Sequence, residues 1–536
     1  MQEKVQGVDF AYTLQGWLKM INGSALAEQF DMGQDGSYGT IYNPSSVNVH
    51  QKFAYDAFGF SLNYYNHGVS GSTAIAKDYS PVKPRTNNPL MDESVIPFID
   101  IPDPSEVGQD LYNGNITGST TTFYDINPNS AKFGTQIPMA SYYRYDQMNR
   151  LKKVQSYDHA VSHGTKWDAY TADDRYQMQL SYDMNGNILT LQRNGNDNSN
   201  LVMDNFNYNY YSLSNGTPQN IQLTGFNGNN TNIATNRLSL LEEDISLASN
   251  YNADVDGLSG TGNVNYSYDA LGNLTQDLSE EIQEIKWNAY GKVIEVLRTN
   301  TCQDKPDLVY VYDSFGQRIK KIVKKRTAGV LSHEKDWQET FYVRDAQGNV
   351  MAMYNHTSTF FANNNNYVSE SISISEWNLY GSSRLVIRSA DKTADVIFLA
   401  SRNYNWINNT VTNEYIAPTA NFTYKKYRLL GAKTFELSNH LGNVISTISD
   451  RKLMVEDAQN IGFVHHYKPE ILSIGEQYAF GMSMPGRTYS VEKYRYGMNT
   501  QEKDDDIFEG AFTAEYWEYD SRLGRRWNND PLVYEW

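Results

Sequence analysis

One cysteine, Cys302, stands in 536 residues. No intrachain disulfide can form, and neither a disulfide framework nor a cysteine zinc site is available. No stretch approaches the roughly 18 apolar residues of a membrane-crossing helix, and the opening "MQEKVQGVDFAYTLQGW" lacks the basic and apolar regions of a secretion signal. A membrane span is therefore not expected, and export is not encoded in these residues. Positive charge is in deficit, with 45 Lys and Arg against 62 Asp and Glu and a net charge of -17. Such a surface repels phosphate backbones, which argues against nucleic acid as a partner. There is no Ser-His-Asp elbow, P-loop or dinucleotide fingerprint, and "GLSGTG" (Gly257 to Gly262) lacks the following lysine or helix.

Proline is sparse at 15, whereas tyrosine outnumbers phenylalanine 41 to 21 and asparagine and glycine are abundant. This composition suits many short strands, about five to eight residues long, joined by glycine-asparagine turns. A repeated phrase supports the same reading: "YYRYDQMNRLKKVQSYD" from Tyr142, "LSYDMNGNILTLQR" from Leu180, "NYSYDALGNL" from Asn265, "VYVYDSFGQRIKKIV" from Val309, "FYVRDAQGNVMAMY" from Phe341 and "FELSNHLGNVIST" from Phe435. Each copy reads as strand, tight turn, strand, with the Gly-Asn pair tolerating positive φ. The ring is expected to pack on a neighbouring hairpin and the aspartate to accept turn amides. Half-copies such as "IKWNAYGKVIEV" and "SEWNLYGSSRLVI" keep the aromatic and the glycine, and "FAYDAFGFSLNYY" (Phe53 to Tyr65) is a weak early copy. Asn-rich inserts, "QRNGNDNSN", "GFNGNNTN" and "FFANNNNY", read as loops. Residues 1–140 form a divergent region containing a proline-rich segment, 141–434 the main array, and 435–536 a C-terminal core.

The aromatic, Tyr-Asp, two variable residues, Gly-Asn phrase resembles the YD repeats of bacterial RHS and teneurin-type proteins. The C-terminal series "FELSNHLGNVISTISDRK", "AFGMSMPGRTY", "YRYGMNTQEKDDDIFEG" and "EYWEYDSRLGRRWNNDPL" is similar to the RHS repeat-associated core. The resemblance implies an all-β fold in which repeated hairpins wind a curved, spiralling sheet into part of a hollow shell. It also implies a secreted polymorphic toxin whose shell encloses a C-terminal toxin domain, with a secretion apparatus or target-cell surface as further partners and no cofactor. Complete members continue past the positions matching Asp530-Pro531 to a second Asp-Pro and a Gly-Leu cleavage point, so this chain reads as a piece lacking both toxin and cleavage point.

Self-cleavage in the family is attributed to an aspartyl pair with a nearby arginine, which the resemblance carries to Asp520 and Asp530 beside Arg522, Arg525 or Arg526. A hairpin turning at Arg522 to Gly524 places Asp520 opposite Arg525 and leaves Asp530 roughly 16 Å further along, at about 3.3 Å per residue. Without the cleavage segment the chain is expected not to act as an enzyme. Other constellations read as structural. "DMGQDGSYGTIY" (Asp31 to Tyr42) begins like a calcium loop but has Gly33 at the third ligand position and Tyr42 where a bidentate Glu is needed. His465 and His466 should face opposite sides of a strand, and "EKDDDIFEG" reads as a solvated acidic loop. A rival reading takes the tyrosines as sugar-stacking platforms of a cell-surface adhesin, favoured if they face solvent in a row. A WD-type propeller is disfavoured because no Gly-His/Trp-Asp pair recurs at about 40 to 45 residues.

Overall fold

The computed structural model describes residues 5–26, 31–33, 35–36, 49–65, 108–158, 173–214, 217–220, 233–243, 251, 255, 264–361, 367–381, 383–389, 403–405, 430–492 and 494–529. Among these the chain is all-β: antiparallel sheets, short 3-10 turns, no α-helix and no closed barrel. No helix there is long and apolar enough to cross a membrane, a statement that does not bear on β-barrels.

The origin of this architecture is visible in one phrase. At Asp269 the Gly272 amide donates to the Asp269 carbonyl at 3.1 Å, closing a four-residue turn, and Gly272 adopts φ +90°. The register slips between Ser267 and Tyr268 as the strands rejoin. This is a tight turn followed by a left-handed glycine and a bulge, a combination that matches the twist of a hairpin. The aspartate closes the turn from inside. Its Oδ1 accepts the Asn273 amide at 2.9 Å and its Oδ2 accepts the Asn273 side-chain amide at 2.8 Å. The same pair of bonds joins Asp183 to Asn187 and Asp345 to Asn349. Gly186, Gly348 and Gly442 likewise have positive φ, while their asparagine neighbours do not. Glycine thus supplies the backbone freedom, and the asparagine of Asp183, Asp269 and Asp345 turns serves as the aspartate's side-chain partner.

A second rule joins one hairpin to the next. The side chain just before the turn donates to a carbonyl at the start of the preceding hairpin's return strand: Tyr182 to Leu151 at 2.7 Å, Trp287 to Leu274 at 2.7 Å, Tyr312 to Val293 at 2.7 Å, Arg344 to Arg318 at 2.9 Å and Tyr380 to Val350 at 3.2 Å. The aromatic positions carry a polar tip that fixes spacing between hairpins, and the Tyr182 ring also meets the Arg150 guanidinium of the preceding hairpin, 4.7 Å from its centroid. Arg344, in the fourth of these five copies, makes the same bond without a ring.

Contacts divide the chain into two compact units. The first comprises Met1–Asn207, Glu243–Asp254 and Glu436–Thr500; the second comprises Tyr208–Glu242, Val255–Phe435 and Gln501–Trp536. These units cut across the three sequence segments, since residues from 435 onward contribute to both. In the first, strands Phe10–Tyr12, Leu18–Gly23, Phe58–Asn63, Gly118–Phe123, Met139–Tyr145, Leu151–Asp158, Asp173–Tyr182 and Ile188–Asn194 neighbour one another in chain order. The later strands Val444–Glu456, Val464–Gln477 and Ser483–Ser490 belong to the same unit. Tyr478 joins them to the early strands by donating to the Asn194 carbonyl at 2.6 Å, and Arg487 does so by donating to Ile137 at 2.9 Å. Ala54 bridges Tyr467 in parallel. The weak copy at Phe53 is therefore not a hairpin: Gly59 lies inside strand Phe58–Asn63, and Asp56 is buried rather than turning the chain.

In the second unit ten strands follow in order from Tyr266–Tyr268 through Leu274–Asp277, Ile282–Trp287, Val293–Arg298, Asp307–Tyr312, Arg318–Lys324, Gln338–Arg344, Val350–Phe361 and Tyr367–Tyr380 to Arg384–Ser389. A separate sheet of Glu502–Lys503, Ala511–Thr513, Glu518–Asp520 and Arg525–Arg526 completes it. Strand lengths correct the expectation of five to eight residues, because Tyr367–Tyr380 and Val464–Gln477 each run for 14. Register slips within these pairs let a twisted ribbon continue where a regular ladder would end. The insert at 225–232 lies outside the described residues, as does 362–366 of "FFANNNNY", whose ends Phe360, Phe361 and Tyr367 belong to strands; in "QRNGNDNSN" Gln192 to Asn194 end strand Ile188–Asn194 and 195–200 connect it to Val202–Ser214.

Candidate functional site

The last copy of the phrase, Tyr519-Asp520-Ser521-Arg522-Leu523-Gly524-Arg525, folds as its spacing requires: Asp520 pairs with Arg525 across the hairpin, and Gly524 takes φ +67°. Asp520 again closes its own turn, with Oδ1 accepting the Arg522 amide at 2.9 Å. Here, however, the carboxylate is 2% exposed and is also gripped by the Arg522 side chain, Nε to Oδ1 at 3.1 Å and Nη2 to Oδ2 at 2.8 Å. Arg522 Nη1 continues to Glu280 Oε1 at 2.6 Å, and its guanidinium lies 3.8 Å from the Phe508 ring centroid. One arginine therefore joins two buried carboxylates that are 240 positions apart in sequence and stacks on an aromatic face, an arrangement suited to its planar fork.

Charges around this arginine differ in state. Burial alone would raise Glu280, but Arg522 and Lys305, whose Nζ is 3.0 Å from Oε2, hold it below the usual carboxylate range. Asp277 has no such cation bonded to it. Burial, then the adjacent Glu280 charge, push it up to about 7, although Ser279 donates to its Oδ1 through both amide and hydroxyl. A carboxylate held charged beside one able to keep a proton near neutrality is the raw material of acid-base chemistry. Asp520 itself has both oxygens engaged by Arg522.

Beside it lies a second buried network. Arg318 Nη2 meets Glu518 Oε1 at 2.8 Å, Lys321 Nζ meets Asp504 Oδ1 at 2.5 Å and Asp506 Oδ2 at 2.6 Å, and Tyr310 donates to Asp504 Oδ2 at 2.8 Å. Arg318 also sits 4.1 Å from the Tyr310 ring centroid. The run "EKDDDIFEG" is therefore not simply a solvated loop. Asp504 is 3% exposed and held below its ordinary range despite burial, because Lys321 and Arg318 face it. Glu518 is pushed up to about 7 by burial, against the pull of Arg318. Together the two networks attach the Glu502–Arg526 sheet to the hairpin strands of its own unit.

Of the two carboxylates carried over by resemblance, Asp520 is placed as described, and Asp530 lies outside the described residues. Arg525 reaches the Tyr210 hydroxyl at 3.2 Å and the Asn236 carbonyl at 2.5 Å, and Arg526 lies 5.0 Å from the Trp517 ring centroid, so neither shares Arg522's role. Glu280 and Asp277 were missed by sequence reasoning. Their signal was faint: the acidic "DLSEE" directly after the Asn265 copy.

Of two further candidates, the histidine pair is revised and the Asp31 stretch is a turn at Asp31 to Gly33. His465 and His466 do not diverge; their Nδ1 atoms are 2.9 Å apart. Val455 pairs with His466 and Glu456 with Val464, so His465 is a bulge residue and the strand's alternation fails there. Burial, then His465, lower His466 to about 4. Asp31 accepts the Gly33 amide at 2.8 Å, as a turn would, while burial and then Asp31, Asp35 and Asp9 raise Asp56 well above its usual range. Among the described residues no group of three or more His, Cys, Asp or Glu is arranged to hold a metal ion.

No family profile matches the chain, and no curated protein matches it significantly. Among solved structures, one titled "Crystal Structure of TcdB2-TccC3-Cdc42" aligns over 97% of this chain and 22% of its own, at 13% identity and a TM-score of 0.31. Another, "Crystal Structure of TcdB2-TccC3-TEV", aligns over 98% and 27%, at 10% identity and a TM-score of 0.18. The chain thus spans about a quarter or less of the length of these structures' chains.

Proposed function

We propose that this chain is a wall segment of an RHS-type containment shell, whose work is to enclose or present a C-terminal effector rather than to catalyse a reaction. The reading rests on the sequence resemblance and on one structural observation: the bond from each pre-turn side chain to the preceding hairpin's backbone. A hairpin cannot bury a face alone, and a ribbon whose successive hairpins are fixed to one another extends into a wall. The tyrosines of the phrase serve this joint. At the described turn tips the exposed large apolar side chains are Met148, Met184, Leu271, Tyr290, Phe315 and Leu441, a mixed set rather than the row of tyrosines an adhesin would present. Asp520 is proposed as a structural carboxylate in the present chain, and secretion follows from the shell reading.

The test is the coding sequence beyond the Trp536 codon together with protease protection of its product. A continuing frame that supplies a second Asp-Pro, a Gly-Leu and a further domain, with that domain resisting protease at concentrations that digest it when expressed alone, is the expected result. Digestion at the same rate in both contexts would reject containment.

A further inference from the structure

Within the first unit a cavity of about 470 Å³ opens among strands Phe58–Asn63, Gly118–Phe123 and Met139–Tyr145, the 439–443 turn and the segment 476–484. This volume is in the range of small-molecule sites. Phe60, Met178, Met484 and Phe480 give it an apolar and aromatic wall. The ionisable side chains on the wall bring little net charge. Glu476 Oε2 is paired with Arg487 Nε at 2.5 Å. Burial raises Tyr143 to about 12 and lowers His440 to about 4, so both are neutral at pH 7. Ser119 Oγ and Tyr143 Oη bond each other at 2.8 Å, and His440 stacks on Phe60 with centroids 5.4 Å apart and planes at 16°.

Two polar atoms of lining residues remain unused. His440 Nδ1 and Gln477 Oε1 are buried and have no hydrogen-bond partner. A buried acceptor left bare carries a desolvation penalty, which a guest offering an N–H or O–H would relieve after a small side-chain rotation. An anionic or cationic guest would instead meet an uncharged wall with nothing to replace its hydration. We propose that this cavity is a binding site for an uncharged aromatic group of two or three rings bearing one hydrogen-bond donor. Such a group belongs equally to a free small molecule or to a tryptophan side chain of a polypeptide.

The test uses the purified full chain and 1-aminoanthracene, a neutral three-ring probe with an amine donor. Saturable one-to-one binding with a blue-shifted emission is expected. The N,N-dimethyl analogue, which cannot donate, should bind several-fold more weakly. Ser119→Phe, which fills the cavity, and Ser119→Asp, which charges its wall, should each weaken binding about tenfold, equivalent to about 1.4 kcal/mol, measured at a temperature where melting curves show each variant folded. Displacement by 3-methylindole alone assigns the site to a free molecule, and displacement also by a neutral tryptophan-containing peptide assigns it to a side chain. Absence of saturable binding by the unmodified chain, or binding by both Ser119 variants as tight as that of the unmodified chain, would overturn the proposal.

Discussion

The turn aspartates Asp269 and Asp345 and the carboxylates under the Glu502–Arg526 sheet occupy the same unit, yet Asp345 and the buried carboxylates have opposite electrostatic characters. Asp345 is partly exposed, and hydrogen bonds from Asn349, Gln347 and Gly348 hold its carboxyl below the usual range. Asp277, 2% exposed, is pushed up to about 7, and so is buried Glu518. The same residue type is thus a closure for a loop in water and a strained charge in the interior. Amides reach both; what differs is that Asp277 is buried beside the Glu280 charge. Asp520 combines the two cases: it closes its turn as the array aspartates do and is buried, and Arg522 makes that burial tolerable.

The largest expected effect breaks this compensation. Arg522→Ala leaves Asp520 and Glu280 buried without their shared cation, and removal of one partner from a buried ion pair costs about 3 to 5 kcal/mol. Urea unfolding should show this as a lower midpoint; a midpoint shifted no more than by a surface substitution would mean the network contributes nothing. Next comes Gly272→Val. A β-branched residue at φ +90° is strained by about 1 to 3 kcal/mol, and a new Cβ would come within 2.4 Å of the Asn529 side chain. Thermal unfolding decides it, with Gly186→Val as the partner measurement, since a Cβ at Gly186 meets open space and only the backbone term remains. A smaller loss, about 1 kcal/mol, is expected for Tyr312→Phe, which deletes a single hydroxyl bond to Val293 while keeping the ring.

Acid should separate the two regions by sign. The folded state holds the Asp277 proton up to about pH 7, whereas an unfolded aspartate loses it near 3.8. Between these values the folded chain binds more protons, so this group's contribution to stability falls as pH rises from about 4 to about 7. Asp345 acts the other way. Its depressed value makes its contribution complete above 3.8 and lost as pH falls through its lower folded value. Asp277→Asn should therefore flatten the stability profile between pH 4 and 7 and leave the acid limb below 3.8 in place. An unchanged slope between pH 4 and 7 in that variant would remove Asp277 from the account.

The contrast also explains what could be read from sequence. Turn closure depends on residues within five positions, so Asp269, Gly272 and Asn273 announce the hairpin and its register by themselves. The opposition of Asp520 and Arg525 was legible for the same reason. Glu280 meeting Arg522, or Lys321 meeting Asp504, depends on which sheet covers which strand, and no local pattern encodes that. Local rules failed where the ladder slips: His465 departs from alternation because a bulge absorbs one residue. The weak copy at Phe53 failed differently: Tyr-Asp and a glycine are present, but Asp56 is buried and Gly59 lies within strand Phe58–Asn63.

The central claim is that the aspartate of the phrase is a local closure that holds its own turn. Hydrogen-exchange mass spectrometry on the unmodified chain and on Asp345→Ala tests it most directly, because Asp345 Oδ1 accepts the amides of both Gln347 and Asn349 at 2.9 Å. The account predicts that protection falls in the peptide spanning 345–349 while peptides covering the Asp183 and Asp269 turns keep theirs. Unchanged exchange at 345–349, or an equal loss at all three turns, would contradict it.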